Sequence, residues 1–157
     1  MKRSLAILTG VAVVATMGIL GITNASAASA GTLVSSLNGK CLDVTNGSTA
    51  NGNQPQLWDC TAGNANQQWT VGADGTVRGL GKCLDVANNS TTDGAVVHLW
   101  DCLSAVSTQK WTASGGGLIN SASGKCLDVK DNNAANGAKL QIWSCTGAAN
   151  QKWTVPA

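Results

Sequence analysis

The sequence has few of the side chains that enzymes use for acid/base chemistry. Its 157 residues include one His and no Phe or Tyr, and all eight acidic residues are Asp, so that Glu is absent as well. The Asp residues recur at equivalent positions of a repeat rather than as an acid/base pair in two different environments. We therefore expect the protein not to be an enzyme, and a Ser-His-Asp site around His98 is the alternative.

The amino terminus predicts export. An uncharged run of 18 apolar or small residues, 5–22, follows the basic start of the chain and precedes Ala25-Ser26-Ala27. This order is typical of a secretory signal peptide with its cleavage site. We expect residues 1–27 to be removed and residues 28–157 to form a secreted, extracellular domain. Cleavage after Ala30 and a retained membrane anchor are the alternatives, since 18 residues are just long enough to span a bilayer.

The mature chain has no excess charge. It carries seven Lys and one Arg against eight Asp, and a neutral surface argues against nucleic acid or an anionic membrane as the partner. The six Cys predict three disulfides, because export leads to an oxidising compartment and His98 alone leaves no Cys/His cluster for a metal ion. We expect neither a metal nor a cofactor.

The strongest pattern is an internal repeat with a period of 42 to 43 residues. The hexapeptide GKCLDV begins at Gly39, Gly81 and Gly124. Counted from the Cys of this motif, each unit has Asp at +2, an Asx-Gly pair at +10 and +11, a polar residue at +15, Trp at +17, Cys at +19 and a closing Q-x-W. The repeats span about residues 31–72, 73–114 and 115–157.

Each repeat predicts four short β-strands. In the first repeat these are TLVSSL, KCLDV, PQLWDC and QQWTV, bounded by Gly, Asn, Asp or Ser. No stretch after residue 30 has helical periodicity. One repeat cannot bury its apolar face alone, so the three share one core, as a closed threefold barrel or as a short solenoid. The absence of distinct capping repeats favours the closed, all-β barrel of twelve strands.

The repeat also restricts the disulfide pairing. Six Cys allow fifteen connectivities, and the economical choice that respects the repeat joins the two Cys of each unit. The predicted bonds are Cys41–Cys60, Cys83–Cys102 and Cys126–Cys145. Each would close a loop of about 20 residues and stabilise the fold by about 3 kcal/mol in the chain-entropy model.

The six Trp residues form two threefold sets. The set that belongs to the Q-x-W motifs is expected to fill the shared core, and it comprises Trp69, Trp111 and Trp153. The other set precedes the second Cys of each repeat and comprises Trp58, Trp100 and Trp143. These residues either pack in the core or form an exposed platform, because the C–H face of a sugar ring stacks on indole while its hydroxyls bind carboxylate and amide groups. Spacing alone leaves both interpretations open.

These motifs resemble the ricin-type lectin domains and the related carbohydrate-binding modules of bacterial xylanases. The resemblance covers residues 31–157 and implies a β-trefoil fold with one disulfide in each repeat. It also implies sugar sites made by the Asp of C-L-D, the Gln and Trp before the second Cys, and the Asn-Gln of N-Q-x-W. In the first repeat these residues are Asp43, Gln56, Trp58, Asn66 and Gln67. In the third repeat they are Asp128, Gln141, Trp143, Asn150 and Gln151.

The second repeat departs from the family pattern. It keeps Asp85, Trp100 and Gln109, but His98 replaces the Gln and Thr108 replaces the Asn. Loss of the Asn amide removes a partner that both donates to and accepts from a hydroxyl, so we expect a weaker site here. The position of His98 at a Gln of the sister repeats also argues against a catalytic role for it.

The resemblance implies a secreted, non-catalytic and multivalent lectin, monomeric and without metal, that recognises galactosides, xylan or another polysaccharide. No contact with nucleic acid is expected, and no membrane insertion after cleavage. One alternative is a trefoil that acts through protein contacts, such as a protease inhibitor. Others are a detached targeting module of a glycoside hydrolase system and a hydrolase in its own right.

Overall fold

The computed structural model describes residues 30–156, so the predicted signal peptide and the start of the mature domain lie outside the described residues. Within this range the chain forms twelve short strands: β1 (Val34–Ser35), β2 (Cys41–Asp43), β3 (Gln56–Trp58), β4 (Trp69–Val71), β5 (Val77–Gly79), β6 (Lys82–Val86), β7 (Val97–Trp100), β8 (Trp111–Ser114), β9 (Gly117–Asn120), β10 (Cys126–Val129), β11 (Leu140–Trp143) and β12 (Trp153–Thr154). The all-β prediction is confirmed, and the strands are shorter than the motifs that predicted them.

Six short 3-10 turns separate the strands in the described part of the chain. One turn follows the C-L-D strand of each repeat, at Thr45–Gly47, Ala87–Asn89 and Lys130–Asn132. The other precedes the Q-x-W strand, at Ala65–Gln67, Ser107–Gln109 and Ala149–Gln151. No helix of residues 30–156 is long and apolar enough to cross a membrane.

The strands form three antiparallel sheets of four strands each, and these sheets close into a ring. The strand orders are β12-β1-β2-β3, β4-β5-β6-β7 and β8-β9-β10-β11. Each sheet therefore combines the last strand of one repeat with the first three strands of another. The last strand of the chain pairs with the first, with Val34 opposite Thr154 and Ser35 opposite Trp153. This pairing supports the closed barrel and excludes the solenoid, because a solenoid would leave both terminal strands unpaired at its ends.

The core takes equivalent residues from all three repeats. Leu42, Leu84 and Leu127 are fully buried on the C-L-D strands. The Trp residues of the Q-x-W motifs are at most 4% exposed, as the sequence predicts. Their indole N–H groups donate to the carbonyl oxygens of those same three Leu residues at 2.8, 2.9 and 3.1 Å. Each buried indole thus has a partner for its polar atom while its rings fill the centre of the barrel.

The Asx-Gly loops join neighbouring repeats. Gly52, Gly94 and Gly137 have φ of 89°, 85° and 88°, in the region that Gly adopts without steric cost. Their N–H groups donate to Leu99, Ile142 and Leu57 of another repeat at 2.8, 2.9 and 2.8 Å. The first repeat therefore contacts the second, the second contacts the third and the third contacts the first. These contacts close the ring independently of the strand pairing.

Each of these interfaces also contains a Lys–Asp ion pair, and at one of the three the Asp belongs to the Asx-Gly loop instead of to the residue that the loop contacts. At two of them the Asn of the Asx-Gly loop donates to an Asp of the neighbouring repeat, from Asn51 to Asp101 and from Asn136 to Asp59, both at 2.8 Å. At the remaining interface the acidic residue is Asp93 of the loop, which accepts from the backbone N–H of Ser144 at 2.7 Å. Each of these three Asp residues also pairs with a Lys. At the interface of the second and third repeats the carboxylate therefore comes from the second repeat, and a Lys–Asp ion pair is present as at the other two interfaces.

All three disulfides are the predicted ones. Cys41–Cys60, Cys83–Cys102 and Cys126–Cys145 have Cα–Cα distances of 5.1, 5.1 and 5.2 Å. Each tethers the C-L-D strand of a repeat to the segment that follows the exposed Trp. The described residues contain no free Cys.

Candidate functional site

Each repeat places a nearly buried carboxylate beside an exposed indole, and we call this position the cleft of the repeat. A cavity is present there in the third and second repeats, with volumes of about 310 and 320 Å³. Strand register pairs this Asp with the polar residue at +15, because the two residues lie directly opposite each other in all three repeats. Asp43, Asp85 and Asp128 are only 5%, 7% and 3% exposed. Trp58, Trp100 and Trp143 are 43%, 38% and 41% exposed. The structure therefore favours the platform interpretation for this Trp set over core packing.

The third repeat has the most completely hydrogen-bonded cleft. Gln141 Nε2 donates to Asp128 Oδ1 at 2.9 Å. Asn150 Nδ2 and Gln151 Nε2 donate to Asp128 Oδ2 at 2.8 and 2.9 Å. Three amides thus fix the carboxylate at the base of a cleft of about 310 Å³, whose wall includes Trp143. All five predicted residues of this repeat come together.

The first repeat brings the same residue types together with a looser arrangement. Gln56 Nε2 and Gln67 Nε2 donate to the two oxygens of Asp43 at 3.3 and 3.0 Å. The side chain of Asn66 instead lies over Gly47, where a Cβ atom would be only 3.0 Å from Asn66 Oδ1. Gly47 thus leaves room for a position of the Asn side chain that differs from that of Asn150. The carboxylate of Asp43 is fixed by two amides instead of three.

A lysine of the third repeat lies next to the first cleft, and the sequence analysis missed it. Lys139 pairs with Gln56 through a β-bridge, and its Nζ donates to Thr45 Oγ1 at 3.0 Å and to the carbonyl of Gln54 at 3.2 Å. Burial lowers the pKa of Lys139, and the attraction of Asp43 opposes that effect. The repeat pattern did not single out this Lys, because the equivalent positions of the first and second repeats are Gln54 and Val96.

The second repeat differs as expected from its replaced residues. Gln109 Nε2 donates to Asp85 Oδ2 at 3.1 Å, whereas His98 Nε2 is 3.8 Å from the same oxygen. The His98 ring stacks on Trp100 with a centroid distance of 5.2 Å. Burial raises the pKa of Asp85, but the neighbouring His98, Thr108 and Gln109 outweigh burial and hold this pKa below its ordinary value.

Thr108 does not replace the missing amide of the second repeat. Its hydroxyl and Asp85 Oδ1 are both buried without a hydrogen-bond partner in the described part of the chain. The cleft has a volume of about 320 Å³, and Leu103 and Val106 line it where the third repeat has Thr146 and Ala148. The second cleft is therefore less well hydrogen-bonded and more apolar than the third.

The Gln of each Q-x-W motif is a buried residue that hydrogen-bonds both to the Asp and to the segment after the exposed Trp. Gln151 Nε2 donates both to Asp128 and to the carbonyl of Ser144, while its Oε1 accepts from the N–H of Thr146 at 2.7 Å. Gln67 and Gln109 make the equivalent three contacts. All three are at most 2% exposed. They position the Asp and the segment after the Trp, as the family resemblance implies.

A pair of residues with positive φ follows the C-L-D strand of each repeat, and in the second and third repeats this pair lines the rim of the cleft. The pairs lie at +5 and +6 from the first Cys of each repeat, and their φ angles are between 50° and 62°. They are Asn46 and Gly47, Asn88 and Asn89, and Asp131 and Asn132. Asn, Asp and Gly tolerate this left-handed conformation best. The repeated Asx or Gly at these two positions was the sequence signal for this rim.

A closed barrel of three four-stranded repeats, with a nearly buried Asp and an exposed Trp in each repeat, has the architecture of a β-trefoil. No group of three or more His, Cys, Asp or Glu side chains within residues 30–156 could hold a metal ion. Residues 29–153 match the family described as the ricin-type beta-trefoil lectin domain. The chain belongs to this family.

Two solved structures illustrate the similarity. The designed threefold symmetric protein ThreeFoil is 34% identical with a TM-score of 0.70, covering 80% of this chain and 96% of that one. A non-toxic homologue of type II RIPs from Momordica charantia, in complex with α-methyl-D-galactoside, is 29% identical with a TM-score of 0.74, covering 83% of this chain and 48% of that one.

A curated relative matches over a shorter stretch. The glucan endo-1,3-beta-glucosidase of Cellulosimicrobium cellulans is 58% identical over 41 residues, which are 26% of this chain and 7% of the relative. The chain spans less than a tenth of the length of the first curated relatives that it matches.

Proposed function

We propose that this protein is a secreted, non-catalytic lectin that binds neutral sugars in the clefts of its first and third repeats, with a weaker site in the second. The observation that carries the proposal is the pairing of a nearly buried Asp with an exposed Trp face in every repeat. Three disulfides agree with an oxidising, extracellular location.

The third cleft offers the groups that a pyranose needs. The exposed face of Trp143 can stack on the C–H groups of one sugar face. Asp128 can accept a hydrogen bond from a sugar hydroxyl, because a carboxylate has about four lone-pair sites and the three amides leave one of them free. Asn150 donates from Nδ2 to Asp128 and to the carbonyl of Val129, and its Oδ1 can accept from a sugar hydroxyl.

Galactose-like or xylan-type sugars are the proposed ligands, bound by the monomeric protein without metal. The complex of the bitter gourd relative with α-methyl-D-galactoside supports the first class. The second class is proposed from the resemblance to xylanase modules. Similarity to part of a glucan endo-1,3-beta-glucosidase supports a related role, in which the domain directs a glycoside hydrolase system to a polysaccharide.

Shallow single sites of this kind are expected to have a dissociation constant on the order of 1 mM, or about 4 kcal/mol. Two or three such sites on one rigid body would raise the avidity for a polysaccharide by about a hundredfold. The threefold barrel fixes the clefts relative to one another, which favours simultaneous binding to a repeating chain.

Hydrolysis is the second candidate, since the third cleft contains two carboxylates, Asp128 and Asp131. Both oxygens of Asp128 accept from amide N–H groups, which is the arrangement of an acceptor rather than of a proton-donating acid. Release of sugar from xylan or from a nitrophenyl glycoside, abolished by Asp128→Asn, would overturn the non-catalytic assignment.

Calorimetric titration with galactose, lactose, xylose and soluble xylan tests the proposal. Trp58→Ala and Trp143→Ala should each remove one site, and the double variant should reduce xylan affinity at least tenfold. These side chains are exposed, so the variants should fold. Trp100→Ala is the matched control for the second site and should change the affinity for the monosaccharides galactose and xylose least. Unchanged affinity in the double variant would remove the proposed sites, and no binding to any sugar would favour a trefoil that acts through protein contacts.

A further inference from the structure

A second cavity adjoins the cleft of the second repeat at His98. The first cavity has a volume of about 320 Å³ and contains Asp85 and Trp100. The second has a volume of about 480 Å³ and lies between the first and second repeats, with Gln54 and Ala87 in its wall. His98 and Asn88 line both cavities. The two cavities are therefore neighbours that share one boundary.

The second cavity is polar but uncharged. Gln54 and Asn88 supply amides, Ser90 supplies a hydroxyl, and no Lys, Arg or Asp lines it. Gln54 is exposed, and its side chain makes no hydrogen bond among the described residues, so its donor and acceptor are available to a ligand. Ala95 and Val96 add apolar surface. Apolar surface with a few polar groups and no net charge suits a neutral polyhydroxylated ring.

A replacement at the repeat interface explains why this space is open. Gln54 of the second cavity corresponds to Lys139 beside the first cleft, and Ala87 corresponds to Thr45. In the first repeat the Lys139 side chain crosses to Thr45 Oγ1 at 3.0 Å and occupies the equivalent region. In the second repeat the Ala87 methyl group offers no such partner. The Lys and Thr pair thus closes one side of the first cleft. The Gln and Ala pair leaves the corresponding side of the second cleft open.

We infer that the second repeat binds an internal stretch of a neutral oligosaccharide, with one sugar ring on Asp85 and Trp100 and the adjoining ring between Gln54 and Ala87. The inference rests on the proposed lectin function and goes beyond it. The weaker hydrogen bonding of Asp85 then limits the affinity for a single ring, and contact with a second ring offsets this loss. His98 lies at the junction of the two rings, where its edge can bond to a hydroxyl of either one.

The test uses a Trp58→Ala, Trp143→Ala background, which leaves the second repeat as the remaining cleft. The indole N–H signal of Trp100 is followed by NMR during titration with xylose, xylobiose and xylotriose, and with galactose and lactose. The affinity is expected to rise at least tenfold from the monosaccharide to the disaccharide of one of these series. A gain below twofold in both series, or no shift of the Trp100 signal, would overturn the inference.

Filling the second cavity supplies the decisive variant. Gln54→Lys with Ala87→Thr transplants the pair of the first repeat, and the ratio of disaccharide to monosaccharide affinity should fall to within twofold of one. The thermal midpoint shows whether this variant folds, and Ala87→Leu fills the same space if it does not. A ratio that stays tenfold in a folded, filled variant would contradict the proposed second ring position.

The two proposals fail in different ways. If the lectin assignment is wrong, the unmodified protein binds none of the sugars at any Trp. If only the second ring position is wrong, the first and third repeats bind sugar, and the second repeat shows no dependence on chain length.

Discussion

Restoring the missing amide of the second repeat should stabilise the fold. Asp85 Oδ1 and the Thr108 hydroxyl are both buried and lack a hydrogen-bond partner in the described part of the chain, whereas Asn150 donates to Asp128 at 2.8 Å in the equivalent place. Thr108→Asn should give Asp85 this donor. A hydrogen bond to a charged group contributes about 1.5–3 kcal/mol. We expect the lower value, because the larger side chain must also be accommodated at a site that is 3% exposed.

Urea unfolding followed by tryptophan fluorescence measures this effect. A gain of about 1.5 kcal/mol should also raise the thermal midpoint by about 4 °C in a domain of this size. Thr108→Val is the matched control, because it removes a hydroxyl that has no partner and keeps the shape, so its cost should be below about 0.5 kcal/mol. Lower stability of Thr108→Asn, or a loss above about 1 kcal/mol for Thr108→Val, would refute the reasoning.

Three further predictions concern the rest of the barrel. Trp111→Phe should cost about 1–3 kcal/mol in urea unfolding, because it leaves a buried carbonyl without its donor, and an unchanged midpoint would contradict this. Hydrogen bonds from Thr76 lower the pKa of Asp74 from 3.8 to about 2. Its stabilising contribution is therefore complete above about pH 5 and is lost as pH falls through the folded pKa of about 2, so the stability difference from Asp74→Asn should shrink below about pH 4 and vanish only near pH 1. Asp93→Asn should lower the thermal midpoint, and adding Ser144→Asp should restore it, because an Asn at position 93 facing an Asp at position 144 reproduces the other two interfaces. A thermal midpoint that falls further in the double variant would contradict this.

The sequence was sufficient for features that lie within one repeat. The spacing of Cys60 from Cys41 recurs in each repeat, so the disulfide could be predicted. The family resemblance placed Asp43 and Gln56 in one site, and the structure pairs them directly across two adjacent strands. The pattern also separated the two Trp sets and predicted the buried Trp69, whereas spacing alone left the environment of Trp58 open and the structure shows it exposed. These features depend on short strands and tight turns, which local sequence determines.

Features that cross between repeats could not be predicted in the same way. Lys139 reaches the first cleft only because the ring closes, and its position in the third repeat gives no sign of this contact. Asn66 and Asn150 occupy equivalent positions, yet only Asn150 donates to its Asp, and the space over Gly47 is set by packing. The cavity behind His98 likewise depends on which side chain the neighbouring repeat contributes, here Gln54.

The most direct test of the lectin assignment is an NMR titration of the six indole N–H groups with galactose and with xylose. We predict that the signals of Trp58 and Trp143 shift with sugar concentration, since both indoles are exposed beside an Asp. The signals of Trp69, Trp111 and Trp153 should not move, because these indoles are buried and bonded to backbone carbonyls. Stationary signals for Trp58 and Trp143 at saturating sugar, or shifts confined to the buried set, would contradict the central claim.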